Sequence, residues 1–273
     1  MTDQIHHYCS PQVFLSILEK KEIWLTSLTL SNDYSEGSWM LNHWVGKFDR
    51  EDTVQRLKGR EAKFAVEICL ELNIALGTCF SEERDLLSQW RGYAQGGAGF
   101  SISFDRRKLE QVAKEAAGPA KTRLMKIAYG PQDTAEISEI IKSLHKVFGT
   151  DANSYSEGAN GTGSMSLSFS PEKHGVQRET ASSLFTAKNG AFKEEKEWRL
   201  FTFDSAENIS AMNFREKGGI ISPYIKLAIP TDVVTGVTLG PTNATPRAMI
   251  EFALRSYGFD CCVSKSGAPY RNR

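Results

Sequence analysis

Helix-forming and strand-forming segments are unevenly spread along this chain, and that unevenness most restricts its fold. The spacing of Val54, Leu57, Phe64, Ile68 and Leu72 predicts a long amphipathic helix over 52–73. Ser10 before Pro11 predicts an N-capped helix over 11–20, because proline at the first helical position loses no hydrogen bond. Asn32 and Asp33 can cap a helix reaching about 48, and Asp105 can cap another. Further helices are expected at 85–93, 136–148, 171–187 and 246–257. Strand character appears at 22–27, 74–80, 100–104 and 123–129. It then dominates the C-terminal third, at 197–203, 210–214, 220–229, 233–239 and 260–263. There are few strict β-α-β alternations and no internal repeat. The expected class is therefore α+β, helix-rich in the N-terminal half and strand-rich in the C-terminal half. One domain over 1–273 is expected, with a flexible Ser/Gly/Asn-rich insertion at 150–170.

Charge and composition exclude some functions. Lys and Arg total 33 and so do Asp and Glu, so the formal net charge is zero and a generally basic nucleic-acid binder is excluded. Local basic surface is not excluded: Arg91, Arg199, Arg215 and Arg271 can bind a pyrophosphate or a nucleic-acid backbone. No run approaches the roughly 18–20 apolar residues of a membrane span, so no membrane association is expected. The start, MTDQIHHYCSPQ, lacks the layout of a signal peptide, and the expected location is cytoplasmic. The five cysteines and five histidines show no zinc spacing, and no metal site is expected.

The chemistry-bearing residues form three groups. Glu195 and Glu197 lie two apart at a strand entry, hence on one face, where mutual repulsion raises one pKa unless a cation intervenes. Arg199 continues that face and can be the cation; a solvated charged strand end is the alternative. His6-His7-Tyr8-Cys9-Ser10 can present an imidazole and a hydroxyl to a ligand, or lie exposed near a terminus. Trp90 and Tyr93 share a helix face beside the Gly96-Gly97-Ala98-Gly99 turn, where an aromatic can stack a flat ligand or fill a core. That turn lacks the spacing of a phosphate loop.

As an ordered set, these residues resemble a widespread bacterial family of unknown function. The resemblance rests on His7-Tyr8-Cys9-Ser10, Asn32-Asp33 with Glu36, Phe80-Ser81, Trp90 with Tyr93-Ala94, and Glu195 with Glu197-Trp198-Arg199. It spans about residues 5–271 and implies one domain, but no activity. A looser resemblance is to mono-ADP-ribosyltransferases, which place a His or Arg on a first strand, a Ser, Thr or Tyr position in the middle, and a late Glu-x-Glu. It implies a split sheet and NAD as substrate, with Glu197 and Glu195 catalytic. It implies NAD binding by His7, Tyr8, Ser10, Ser81, Trp90, Tyr93 and Arg199. Cys9, where a Thr is usual, departs from the pattern. A bacterial toxin or anti-phage effector that modifies nucleic acid or protein would go with this activity, and so would an antitoxin partner. A non-catalytic regulatory module of a defence locus and a metal-dependent nuclease are the alternatives.

Overall fold

The chain builds one large sheet that forks. The computed structural model describes residues 3–30, 37–48, 53–116, 121–130, 135–148, 155–156, 164–165, 171–205, 212–217 and 219–270. Strand β1 (Gln4–Cys9) leads into helix α1 (Pro11–Lys20), whose first turn is capped by Ser10 accepting from the Val13 N–H. Lys21, at φ 52°, closes that helix and turns it into β2 (Glu22–Ser27). Helices α2 (Ser38–Phe48) and α3 (Thr53–Glu71) precede β3 (Asn73–Ser81) and the short α4 (Leu87–Tyr93). Strand β4 (Phe100–Asp105) runs into α5 (Arg106–Glu115), where Asp105 accepts from the Arg107 and Lys108 N–H groups. The expected caps Asn32 and Asp33, with Glu36, lie outside the described residues.

The expected strand over 123–129 is two strands, β5 (Arg123–Lys126) and β6 (Ala128–Tyr129). They part at Ile127 because β5 pairs with a later strand of the main sheet while β6 pairs in parallel with β9 (Ala187–Lys188). Between β6 and β9 lie α6 (Ala135–Phe148), the two-residue strands β7 (Tyr155–Ser156) and β8 (Ser164–Met165), and α7 (Pro171–Ser182). Most of the expected 150–170 insertion is outside the described residues; what is described there is the antiparallel β7–β8 pair. The helix expected to reach 187 tightens to a 3₁₀ turn at Ser183–Thr186, and Ala187 already belongs to β9. A second 3₁₀ segment, Gly190–Glu195, leads into β10 (Glu197–Ser205). Then come β11 (Asn213–Lys217), β12 (Ile220–Ala228), β13 (Val234–Leu239), α8 (Arg247–Ser256) and β14 (Cys262–Lys265). The last strand is two residues later than expected because its parallel register with β13 starts at Gly236 and Cys262.

The described pairings of the main sheet are antiparallel except β13–β14, so the class is α+β. Strand β3 pairs with β10 along its whole length, Ser81 opposite Glu197 through Asn73 opposite Ser205. Its other edge is shared. Strand β2 holds Leu76 and Gly77, while β1 meets β3 only where His6 opposes Ser81. The sheet therefore splits there into a β2-β12-β11 branch and a β1-β4-β13-β14 branch. Two side chains bridge the gap: Thr78 Oγ1 donates to the Trp24 carbonyl at 2.6 Å, and a His7 ring nitrogen meets the Cys79 carbonyl at 2.9 Å.

Successive residues of β10 enter opposite cores, as the two-residue period demands. Leu200 joins Phe14, Leu18, Phe104, Leu109 and Leu254 on the face covered by α1, α5 and α8. Phe201 and Phe203 join Trp44, Val66, Leu144 and Phe185 on the face covered by α2, α3 and α6. The glycine turn is fixed by close backbone approach: a Cβ on Gly99 would lie 2.1 Å from the Cys9 carbonyl oxygen and 3.0 Å from Ala94 Cα. Both are backbone atoms and cannot move aside. Gly99→Ala is expected to cost about 2 kcal/mol or more, checked by urea denaturation; an unchanged midpoint refutes this account of the turn.

Candidate functional site

Glu197 and Arg199 are both buried, at 3% and 1% exposure, so they are no solvated strand end. Arg199 Nε and Nη2 donate to Glu197 Oε1 at 2.9 and 2.7 Å, and Arg199 Nη1 donates to the Phe185 carbonyl at 2.6 Å. The cation the spacing called for is present and fully engaged, so Arg199 is an internal counter-ion rather than a phosphate ligand.

A second cation reaches the pair from outside the motif. Lys188 Nζ lies 2.7 Å from Glu197 Oε2 and 3.2 Å from Glu195 Oε2. Strand β9 puts it there by pairing with β6, whose Tyr129 hydroxyl accepts from the Glu197 N–H at 2.8 Å. Two carboxylates and two ammonium-type groups thus share one buried cluster. Their surroundings push the acids apart. Burial opposes ionisation of Glu197, but Arg199 and Lys188 outweigh it and hold its carboxyl below the ordinary 4.5. Glu195 has no guanidinium. Burial, reinforced by the Glu197 charge and only partly offset by Lys188, raises its carboxyl above 4.5. Two carboxyls with opposite shifts are the arrangement acid–base chemistry uses, one kept charged and one able to exchange a proton.

Glu197 Oε2 is buried and faces the Lys188 ammonium at 2.7 Å, and the Cys79 thiol also bonds to this carboxylate. The Cys79 side chain is exposed. Burial and the Glu197 charge raise the thiol pKa, so Cys79 is a neutral neighbour rather than a thiolate nucleophile. Tyr93 is 44% exposed, its hydroxyl 3.4 Å from Glu195 Oε1.

The other expected ligands are placed differently. Trp90 has no exposure, and its Nε1 donates to Asp85 at 2.6 Å; it is packed edge-on against Tyr8 and offers no stacking surface. The Tyr8 hydroxyl donates to the Glu83 carbonyl and accepts from the Leu86 N–H, fixing the chain that enters α4. Ser81, 1% exposed, donates to the Glu195 carbonyl at 2.7 Å and accepts from the Glu83 N–H, so it braces the site without facing a ligand. Ser10 caps α1. His7 is displaced by alternation: His6 is the histidine in the row with Ser81 and Glu197, while His7 packs against Phe80 on the other side. His6 is buried against Ser103 Oγ, and its pKa falls to about 4, chiefly through burial, so it is neutral. A carbonyl oxygen only accepts, so the His7 nitrogen facing Cys79 carries the proton and Nε2 is left as an acceptor. Row by row, β1 and β10 are two strand spacings apart, about 10 Å.

Residues 89–200 match a family described as "Protein of unknown function (DUF2971)". The matched segment holds Tyr93, Tyr129, Lys188, Glu195, Glu197 and Arg199, so the whole charged cluster lies within it, while His7 and Cys79 lie outside. No curated protein and no solved structure matches the chain. No helix among the described residues is long and apolar enough to cross a membrane. Among the described residues no group of three or more His, Cys, Asp or Glu is arranged to hold a metal ion.

Lys188 and Tyr129 were invisible to sequence reasoning. Neither has a periodic or motif signal; each joins the site through the β6–β9 pair, a contact between segments about 60 residues apart.

Proposed function

We propose that the chain is an NAD-dependent mono-ADP-ribosyltransferase. The observation that carries this reading is the Glu195–Glu197 pair with opposite pKa shifts beside the exposed Cys79 and Tyr93 at a sheet fork. In this reaction the bond between ribose C1′ and nicotinamide nitrogen breaks, and nicotinamide leaves with the bonding electrons. Glu197, kept ionised by Arg199 and Lys188, supplies fixed negative charge against the cation developing at C1′. Glu195 takes the proton from the acceptor as the acceptor's oxygen or nitrogen bonds to C1′. Tyr93 is the exposed aromatic able to stack on nicotinamide, and His7 Nε2 is an acceptor at the fork.

The acceptor class is nucleic acid or protein. A cytoplasmic toxin or anti-phage effector with a neutralising antitoxin partner is the biological setting that fits such an activity. A metal-dependent nuclease is disfavoured at this cluster because Lys188 and Arg199 already neutralise its carboxylates.

The test is incubation with labelled NAD and RNA, DNA or cell lysate. Nicotinamide release and label transfer are expected; no turnover with any acceptor overturns the reading and leaves a non-catalytic module. The pH profile adds a sign. Glu195 must be ionised to accept a proton, so kcat/KM should rise with pH through a pKa above 4.5. Glu195→Gln should remove that limb. Persistence of the limb in Glu195→Gln would take the base role away from Glu195.

A further inference from the structure

Helix α4 brings Tyr93 to Glu195, yet it is too short to hold itself in place. It has seven residues, a glycine, Gly92, in its last turn, and no side-chain hydrogen bond at its N-cap Leu86. Helices shorter than about 12–15 residues are marginal on their own in water, and glycine weakens them further. The position of α4 is therefore set by what packs on it. One holder is Tyr8, whose hydroxyl meets the Glu83 carbonyl and the Leu86 N–H.

The other holder is the segment Ser266–Tyr270, which follows β14 and meets α4 and its flanks at three places. At the entry to the helix, Asp85 Oδ1 accepts from Ser266 Oγ at 2.6 Å, and Asp85 Oδ2 accepts from the Gly267 N–H at 2.8 Å. Along the helix, Ala268 packs against the cluster of Tyr8, Trp90 and Ala94. Past its end, a Cβ on Gly97 would lie 3.2 Å from Tyr270 Cδ1, so this ring rests on the glycine turn. Asp85 Oδ1 also accepts from the fully buried Trp90 Nε1 at 2.6 Å. One carboxylate thus ties the segment to the inside of the helix, and without it a buried indole N–H loses its partner, which is costly. The segment is braced as well. The Ala268 N–H donates to Ser266 Oγ at 3.1 Å, the Tyr270 N–H to the Ala268 carbonyl at 2.9 Å, and the Ser266 N–H to the Leu239 carbonyl of β13 at 2.8 Å.

We propose that Ser266–Tyr270 is a strap that fixes α4 on the sheet and so holds Tyr93 at Glu195, with Asp85 as its anchor. Asp85 and Ser266 are then positioning residues: they act on the site through Trp90 and the helix, 181 positions apart in the chain. The strap itself is independent of the transferase reading; only the effect on NAD rests on it.

The test is hydrogen–deuterium exchange of the full chain, read over α4 and over β3 and β10, in wild type, Asp85→Ala and Ser266→Ala. Ser266→Ala removes one hydroxyl at a half-exposed position, so it remains informative if Asp85→Ala fails to fold. Exchange in α4 should speed up about 10-fold or more in Asp85→Ala, the loss expected for charge-assisted hydrogen bonds, and less in Ser266→Ala, with β3 and β10 unchanged. Unchanged exchange in α4, or equal acceleration in α4, β3 and β10, overturns the strap. In turnover, Ser266→Ala should raise the KM for NAD, and should raise it no further in a Tyr93→Ala background. An equal rise in both backgrounds overturns the route through Tyr93. Local acceleration in α4 without any NAD cleavage upholds the strap and overturns the transferase. Cleavage with unchanged exchange and unchanged KM in both variants does the reverse.

Discussion

Arg199→Met is expected to destabilise the protein by about 3–5 kcal/mol, the cost of leaving one charge of a buried pair without its partner. Methionine fills much of the arginine's volume, so the loss isolates charge and hydrogen bonding rather than a cavity. Three donors disappear, two to Glu197 Oε1 and one to the Phe185 carbonyl, all at sites with almost no solvent. The pH dependence gives a separate check. In the wild type the Glu197 carboxyl is lowered, so its contribution to stability is present above 4.5 and is lost as pH falls through the lowered value. Without the guanidinium, burial dominates and the carboxyl rises, so protonation on acidification relieves the variant. The stability gap between wild type and Arg199→Met should therefore narrow as pH falls below 4.5. Urea denaturation at several pH values measures it. A pH-independent gap would show that the pair is not the source of the loss.

Glu197→Gln is expected to lower NAD cleavage by about 10²-fold or more, the scale on which removal of one preorganised electrostatic group acts. The amide keeps an oxygen that can accept from Arg199, so the geometry of the strand entry survives, but the negative charge that the proposed transfer sets against C1′ is gone. Both Lys188 and Arg199 then lack their shared counter-ion, and a stability loss accompanies the activity loss. The two effects separate at low temperature, where the variant remains folded by circular dichroism. Folded, NAD-binding and inactive is the expected result. A folded variant with wild-type cleavage would remove Glu197 from the chemistry.

The residues of the charged cluster show what each level of description supplies. Period two is a local property of an extended chain, so it places Glu197 and Arg199 on one face before any fold is known. The Ser10 and Asp105 caps are local too: a side-chain oxygen satisfies N–H groups two or three residues away, and α1 and α5 begin where those residues stand. Trp90 and Tyr93 show the limit of the same reasoning. Helical spacing puts both on one side of α4, but only packing against Tyr8 decides that Trp90 is sealed and Tyr93 is open. Ser81 is a similar case, because its hydroxyl is consumed by backbone groups at Glu195 and Glu83, more than 110 positions away in one of the two contacts.

The uneven order of helices and strands determined the α+β class, because hydrophobic period and capping chemistry act over a few residues. Tertiary structure alone decided that β3 shares one edge between β1 and β2, that His6 rather than His7 lies in the row of Glu197, and that Lys188 completes the charge cluster. The physical reason is that pairing partners and covering layers are chosen by non-local burial. Both faces of β10 are buried by different cores, and a sequence of alternating side chains says which residues share a face, not what that face will meet.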